Sequence, residues 1–72
     1  MVQITTDFNW REDILTVVLP DRVPIEILVP GTRIVLHEPG GMECEAIVRR
    51  GNTWPWVADI VEDTIKELRA DK

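Results

Sequence analysis

The sequence predicts a mainly β protein: a small barrel or a bent antiparallel meander of five or six strands, with a short C-terminal helix. Three observations carry this expectation. The stretch "MECEAIVRR" (42–50) alternates apolar and polar side chains over its whole length, the period of a half-buried strand. Short runs rich in valine and isoleucine recur between proline and glycine turn signals, as in small all-β domains. Beyond residue 58 the apolar spacing changes from two to between three and four, the period of a helix. The 72 residues form one domain, near the lower end of what folds alone, and association with a second copy is one way to bury more apolar surface.

Taken in order, "VQITTDFNW" places Val2, Ile4, Phe8 and Trp10 on one parity and Gln3, Thr5, Asp7 and Asn9 on the other, a half-buried pattern that predicts a strand over Val2–Thr6 and weakens beyond it. "ILTVVL" (14–19) is continuously apolar and β-branched, as in a strand covered on both faces. "PDRVP" (20–24) interrupts it, and "IEILV" (25–29) predicts a further strand with Ile25, Ile27 and Val29 inward. Pro30 and Gly31 mark a turn. "RIVLHE" (33–38) sends Ile34 and Leu36 inward and His37 outward, and "EPGG" (38–41) closes a hairpin in type II order. In the 42–50 strand, Met42, Cys44, Ala46 and Val48 face in, while Glu43, Glu45, Ile47 and Arg49 face out. In the tail, Val57, Ile60, Val61, Thr64, Ile65 and Leu68 follow helical spacing. Asp59 and Glu62 have the form of a capping box, and acids precede bases, so a helix is expected over about 59–69. A closing strand over Thr64–Leu68 is the rival.

The segment "VPGTRIVL", a turn, "ECEAIVRRG", a second turn and "WVADI" resembles the strand–turn–strand core of SH3-like small barrels, including those with KOW-type sequences. The resemblance spans about residues 29–60 and implies a fold, not a function. Peptide-binding SH3 domains use clustered tyrosines, and this chain has none. RNA-binding KOW domains are usually basic, whereas this chain carries a net charge of −5. No functional residue is carried over.

Composition excludes several classes of function. A single cysteine allows no internal disulfide, and one cysteine with one histidine supplies too few ligands for a structural zinc site. No metal site or cofactor is expected. The acidic balance is shared by both parts of the chain, 5 bases against 8 acids before residue 51 and 3 against 5 after it. On average this repels nucleic acid and anionic lipid. No apolar run is long enough to span a bilayer, and the polar start is unlike a signal peptide, so a soluble cytoplasmic protein is expected.

The candidate residues centre on "GNTWPWVADI" (51–60). A two-residue turn after Arg50 pairs Arg49 with Trp54 and Ile47 with Trp56, placing both indoles outside beside an arginine. A three-residue turn pairs Val48 with Trp56 and Ala46 with Ala58, placing the indoles inside. Turn chemistry favours the first, since Gly51–Asn52 suits a type II′ turn. Packing favours the second, because indoles opposite cysteine and alanine fill a core. The expectation is a core role for Trp56, a half-exposed Trp54 near the hairpin tip, and an edge or bulge at Pro55. Cys44, between Glu43 and Glu45 on the inward parity, reads as a buried filler and not a nucleophile. His37 lies on the opposite face, so no His–Cys dyad forms. The acids Glu38, Glu43 and Glu45 read as a solvated row.

The function expected from these residues is a non-enzymatic interaction or regulatory module. It binds a protein partner or a second copy through an outer sheet face made of Ile47, Val35 and Trp54, rimmed by Arg33 and Arg49. The alternative is a single-stranded nucleic-acid binder using Trp54, Arg49 and Arg50. An acidic decoy for a basic protein site and a hydrolytic or redox enzyme follow in that order.

Overall fold

A computed structural model describes residues 1–67. Seven strands form one sheet: β1 (Gln3–Thr5), β2 (Arg11–Asp13), β3 (Thr16–Val18), β4 (Arg33–His37), β5 (Met42–Arg50), β6 (Trp56–Ile60) and β7 (Lys66–Glu67). Their order is β1-β4-β5-β6-β3-β2, with β7 paired to the start of β5. The chain is therefore mainly β, as its periodicity predicts. The sheet is mixed and open, however. β1 runs parallel to β4, with Ile4 opposite Leu36, and among the described residues the two ends, β1 and β2, do not pair. An antiparallel meander would need every strand joined to its neighbour by a tight turn, whereas a parallel pair needs a long crossover. Residues 6–32 provide that crossover.

β5 organises the sheet. It pairs with β4 along one edge, Ile34 opposite Ala46 and Leu36 opposite Cys44, and with β6 along the other, Val48 opposite Ala58. The turn between β4 and β5 forms as its sequence predicts: Gly40 has φ +74°, and the Gly41 N–H donates to the Glu38 carbonyl at 2.9 Å. Only a residue without Cβ adopts that φ at no steric cost. Ile4, Val17, Leu19, Ile27, Ile34, Leu36, Cys44, Ala46, Val48, Ala58 and Ile60 fill one face, together with Phe8. The inward set predicted for β5 is the observed one, with Met42 half-buried at its end.

Two predicted elements differ. Residues 25–29 are not a strand. Ile25–Ile27 forms a 3₁₀ turn, with the Ile27 N–H on the Pro24 carbonyl and the Leu28 N–H on the Ile25 carbonyl. Three residues per turn cannot put Ile25 and Ile27 on one face; Ile27 is buried, while Ile25 and Val29 are exposed. Prolines at 24 and 30 leave this stretch short of ladder donors, so local bonds take over.

The predicted helix over 59–69 does not form within the described residues, and positions 68 and 69 lie outside them. Asp59 and Ile60 end β6, Glu62–Thr64 is a 3₁₀ turn, and Lys66 and Glu67 make β7. The Asp59–Glu62 capping box is replaced by sheet bonds. The Ile60 N–H donates to the Leu15 carbonyl at 2.7 Å and the Val61 N–H to the Glu45 carbonyl at 2.9 Å. Thr64 Oγ1 accepts the Glu45 N–H at 2.8 Å. A helix of three turns is marginal by itself, and non-local bonds to an existing sheet outweigh it.

Candidate functional site

The 51–55 connection settles the tryptophan question. Arg50 pairs with Trp56 and Arg49 with Val57, so five residues join the strands, not two or three. Because three and five are both odd, the inner face matches the packing argument although the register is two residues further along. Trp56 lies half-buried against the core, at its rim. The Arg50 guanidinium covers it, 5.0 Å from the ring centroid. The arginine–aromatic pair thus forms between Arg50 and Trp56, not between Arg49 and Trp54.

On the outer face, Arg33, Val35, Ile47 and Arg49 come together as predicted, on neighbouring positions of β4 and β5. Their charges are already matched within the sheet. Arg33 Nε donates to Glu45 Oε1 at 2.5 Å. Arg49 Nε donates to Asp59 Oδ2 at 2.6 Å, and Thr16 Oγ1 donates to Asp59 Oδ1 at 2.8 Å. His37 Nδ1 and Glu43 Oε1 are 3.1 Å apart. Burial pushes the Asp59 carboxyl up, but the hydrogen bonds from Arg49 and Thr16 and the guanidinium charge overcome this and leave it below the usual range. The same hydrogen bond raises the Arg49 pKa. Val35 and Ile47 are half-buried among these pairs.

Trp54 does not join that face. It extends from the 51–55 loop and, with Trp10, flanks a groove of about 510 Å³ lined also by Val18, Leu19, Pro20, Asp21 and Arg22. A smaller hollow of about 130 Å³ continues past Trp54 toward Pro55 and Trp56, sharing Val18, Leu19, Pro20 and Asp21. Trp10 is 57% exposed and Trp54 50% exposed. Two exposed indoles on one concave surface give it more apolar area than isolated surface side chains do.

Trp10 escapes the sequence reading, which gives it only the parity of Ile4 and Phe8, beyond the strand expected over Val2–Thr6. That parity is reset by a turn at Asp7, whose Oδ1 accepts the Asn9 N–H at 2.8 Å and whose carbonyl accepts the Trp10 N–H at 3.0 Å. The "TDFN" composition is the available signal, since aspartate and asparagine favour turns of this kind. Pro20, predicted only to break a strand, becomes part of the groove.

The catalytic candidates are separated as expected. Cys44 is buried on the inner face, and His37 lies on the outer face. Burial pushes the Cys44 thiol up, the Arg11 charge draws it down and Glu43 adds to the rise, with the net effect upward. Glu43, Glu45, Asp63 and Lys66, with Val35 and Ile65, border a cleft of about 460 Å³ beside the Glu62–Thr64 turn. Among the described residues, no group of three or more histidine, cysteine or carboxylate side chains is placed to hold a metal ion. No helix among them is long and apolar enough to cross a membrane.

Compared with protein-family models, curated proteins and solved structures, the chain matches none of them.

Proposed function

We propose that this chain is a non-enzymatic interaction module that takes an apolar segment of a protein partner between Trp10 and Trp54. One observation carries the reading: two half-exposed indoles face an apolar groove of about 510 Å³. Indoles are the side chains most often found as energetic anchors of interfaces, because they bury large area with little loss of rotamer freedom. Asp21 and Arg22 border the groove and make no ion pair among the described residues. They offer one charge of each sign to orient a partner, an effect on specificity more than on affinity.

The face expected from the sequence contributes less. Arg33 and Arg49 are bonded to Glu45 and Asp59, so recruiting them to a partner would first break those pairs. The same engagement argues against the nucleic-acid alternative, which needs Arg49 and Arg50 free beside Trp54. Arg50 instead covers Trp56, and the net charge of −5 opposes phosphate binding. A soluble cytoplasmic setting fits this reading.

The test uses nuclear magnetic resonance. The indole N–H signals of Trp10 and Trp54 are followed while the protein is titrated with short peptides carrying a leucine, proline or phenylalanine anchor, and separately with a single-stranded oligonucleotide. Peptides should shift both signals, and a Trp10→Ala/Trp54→Ala variant that stays folded by circular dichroism should lose the binding. Oligonucleotide binding with steep salt dependence would favour the alternative, and peptide binding that survives in the variant would remove the groove from consideration. Sedimentation of the parent and the variant tests the second-copy form of the partner.

A further inference from the structure

The two walls of the groove are held by unequal means. The Trp10 wall is fixed by backbone bonds: its N–H donates to the Asp7 carbonyl at 3.0 Å, and its own carbonyl accepts the Val18 N–H at 2.9 Å. Arg11 braces the same stretch, donating from Nε to the Phe8 carbonyl at 2.6 Å and from Nη1 to the Ile14 carbonyl. Among the described residues, the Trp54 wall has one backbone bond across its loop, Gly51 N–H to Pro55 carbonyl, at 3.3 Å.

What else holds that loop is a side chain forty residues away in sequence. Glu12 Oε1 accepts the backbone N–H groups of Asn52 at 3.1 Å, Thr53 at 3.3 Å and Trp54 at 3.5 Å. Successive amides converging on one oxygen make an anion-binding nest, here filled by a carboxylate from the same chain. Gly51 leaves room for it. A Cβ there would meet the Trp54 carbonyl, Glu12 Oε1 and Val57 Cγ1. The strand that carries Glu12 begins one residue after Trp10.

We infer that Glu12 is the positioning residue of the groove: its carboxylate clasps the 51–55 loop and sets Trp54 at its distance from Trp10. This rests on the groove reading above. Glu12 acts through Trp54 and need not touch the partner. The competing view is a surface carboxylate whose three long contacts hold nothing.

The clasp is tested by amide exchange and by titration with Nile red, a neutral apolar dye, on the full chain. In Glu12→Ala, the Asn52 and Thr53 amides should exchange faster while β4 and β5 amides keep their rates. Dye affinity should fall about fivefold, the scale of one exposed hydrogen-bonded contact. Glu12→Gln, which keeps a carbonyl acceptor, should restore both readings in part. In a Trp54→Ala background, Glu12→Ala should cost no further affinity. Parental exchange rates in Glu12→Ala, or a Glu12→Gln variant no better than Glu12→Ala, would overturn the inference. If the parent binds no dye, the groove reading fails, and the exchange rates alone then decide whether Glu12 holds the loop.

Discussion

Replacing Trp56 with alanine probes the 51–60 register directly, and its cost can be worked out in advance. Complete removal of a buried indole costs about 3–5 kcal/mol. Trp56 is half-buried at the rim of the core, so about half of that applies, ~2 kcal/mol. Loss of the Arg50 contact, at 5.0 Å from the ring centroid, adds about 0.5–1 kcal/mol for an exposed cation–π pair. The sum is ~2–3 kcal/mol, against a stability of about 4–11 kcal/mol for a chain of 72 residues. The variant should fold, with its melting temperature lowered by roughly 10–20 °C. Urea unfolding followed by circular dichroism measures this without relying on the deleted fluorophore. Arg50→Ala should cost only the cation–π share and should lose even that in the Trp56→Ala background. A cost of Trp56→Ala near zero would mean that the indole is outside, as the two-residue turn requires. A cost near 5 kcal/mol would mean full burial, and either result refutes the observed register.

Other outcomes follow from the same geometry. The Asp59 carboxyl is held below its usual range, so its bonds to Arg49 and Thr16 stabilise the fold fully above the unfolded carboxyl value of about 3.9. That contribution is lost as pH falls from there through the folded value. The gap in urea midpoint between parent and Asp59→Asn should therefore be constant near neutrality and close in acid, and a gap that widens on acidification would contradict the pairing. Cys44, buried with its thiol pushed up, should react slowly with a disulfide reagent when native and quickly in denaturant. Rapid native labelling would show that the inner face is open.

The sequence by itself determined which residues form the strands at the centre and which of their faces point inward. The alternation of 42–50 and 33–37 is a local property: with a period of two, a buried side chain at Cys44 dictates burial at Ala46 and Val48 wherever the partner strands lie. The turn at 38–41 was equally legible, because proline presets its own φ and glycine admits a positive one, both without help from the rest of the chain. Cys44 and His37 were separated correctly on the same grounds, as was the outer set Arg33, Val35, Ile47 and Arg49.

Tertiary structure decided the rest. Whether residues 59–67 coil or extend depended on the free edge of β5 and the carbonyls of Leu15 and Glu45, which no window of the tail contains. The parallel pairing of β1 with β4 joins segments 32 residues apart, so the sheet is mixed and open where periodicity suggested a small barrel or an antiparallel meander. The candidate site is the clearest case. Trp10 and Trp54 lie far apart in sequence, in separate connections between strands, and both are exposed. They face one groove because β3 runs between β2 and β6. A local pattern records the face of a side chain, but the distance between two such side chains is set by the folded sheet alone.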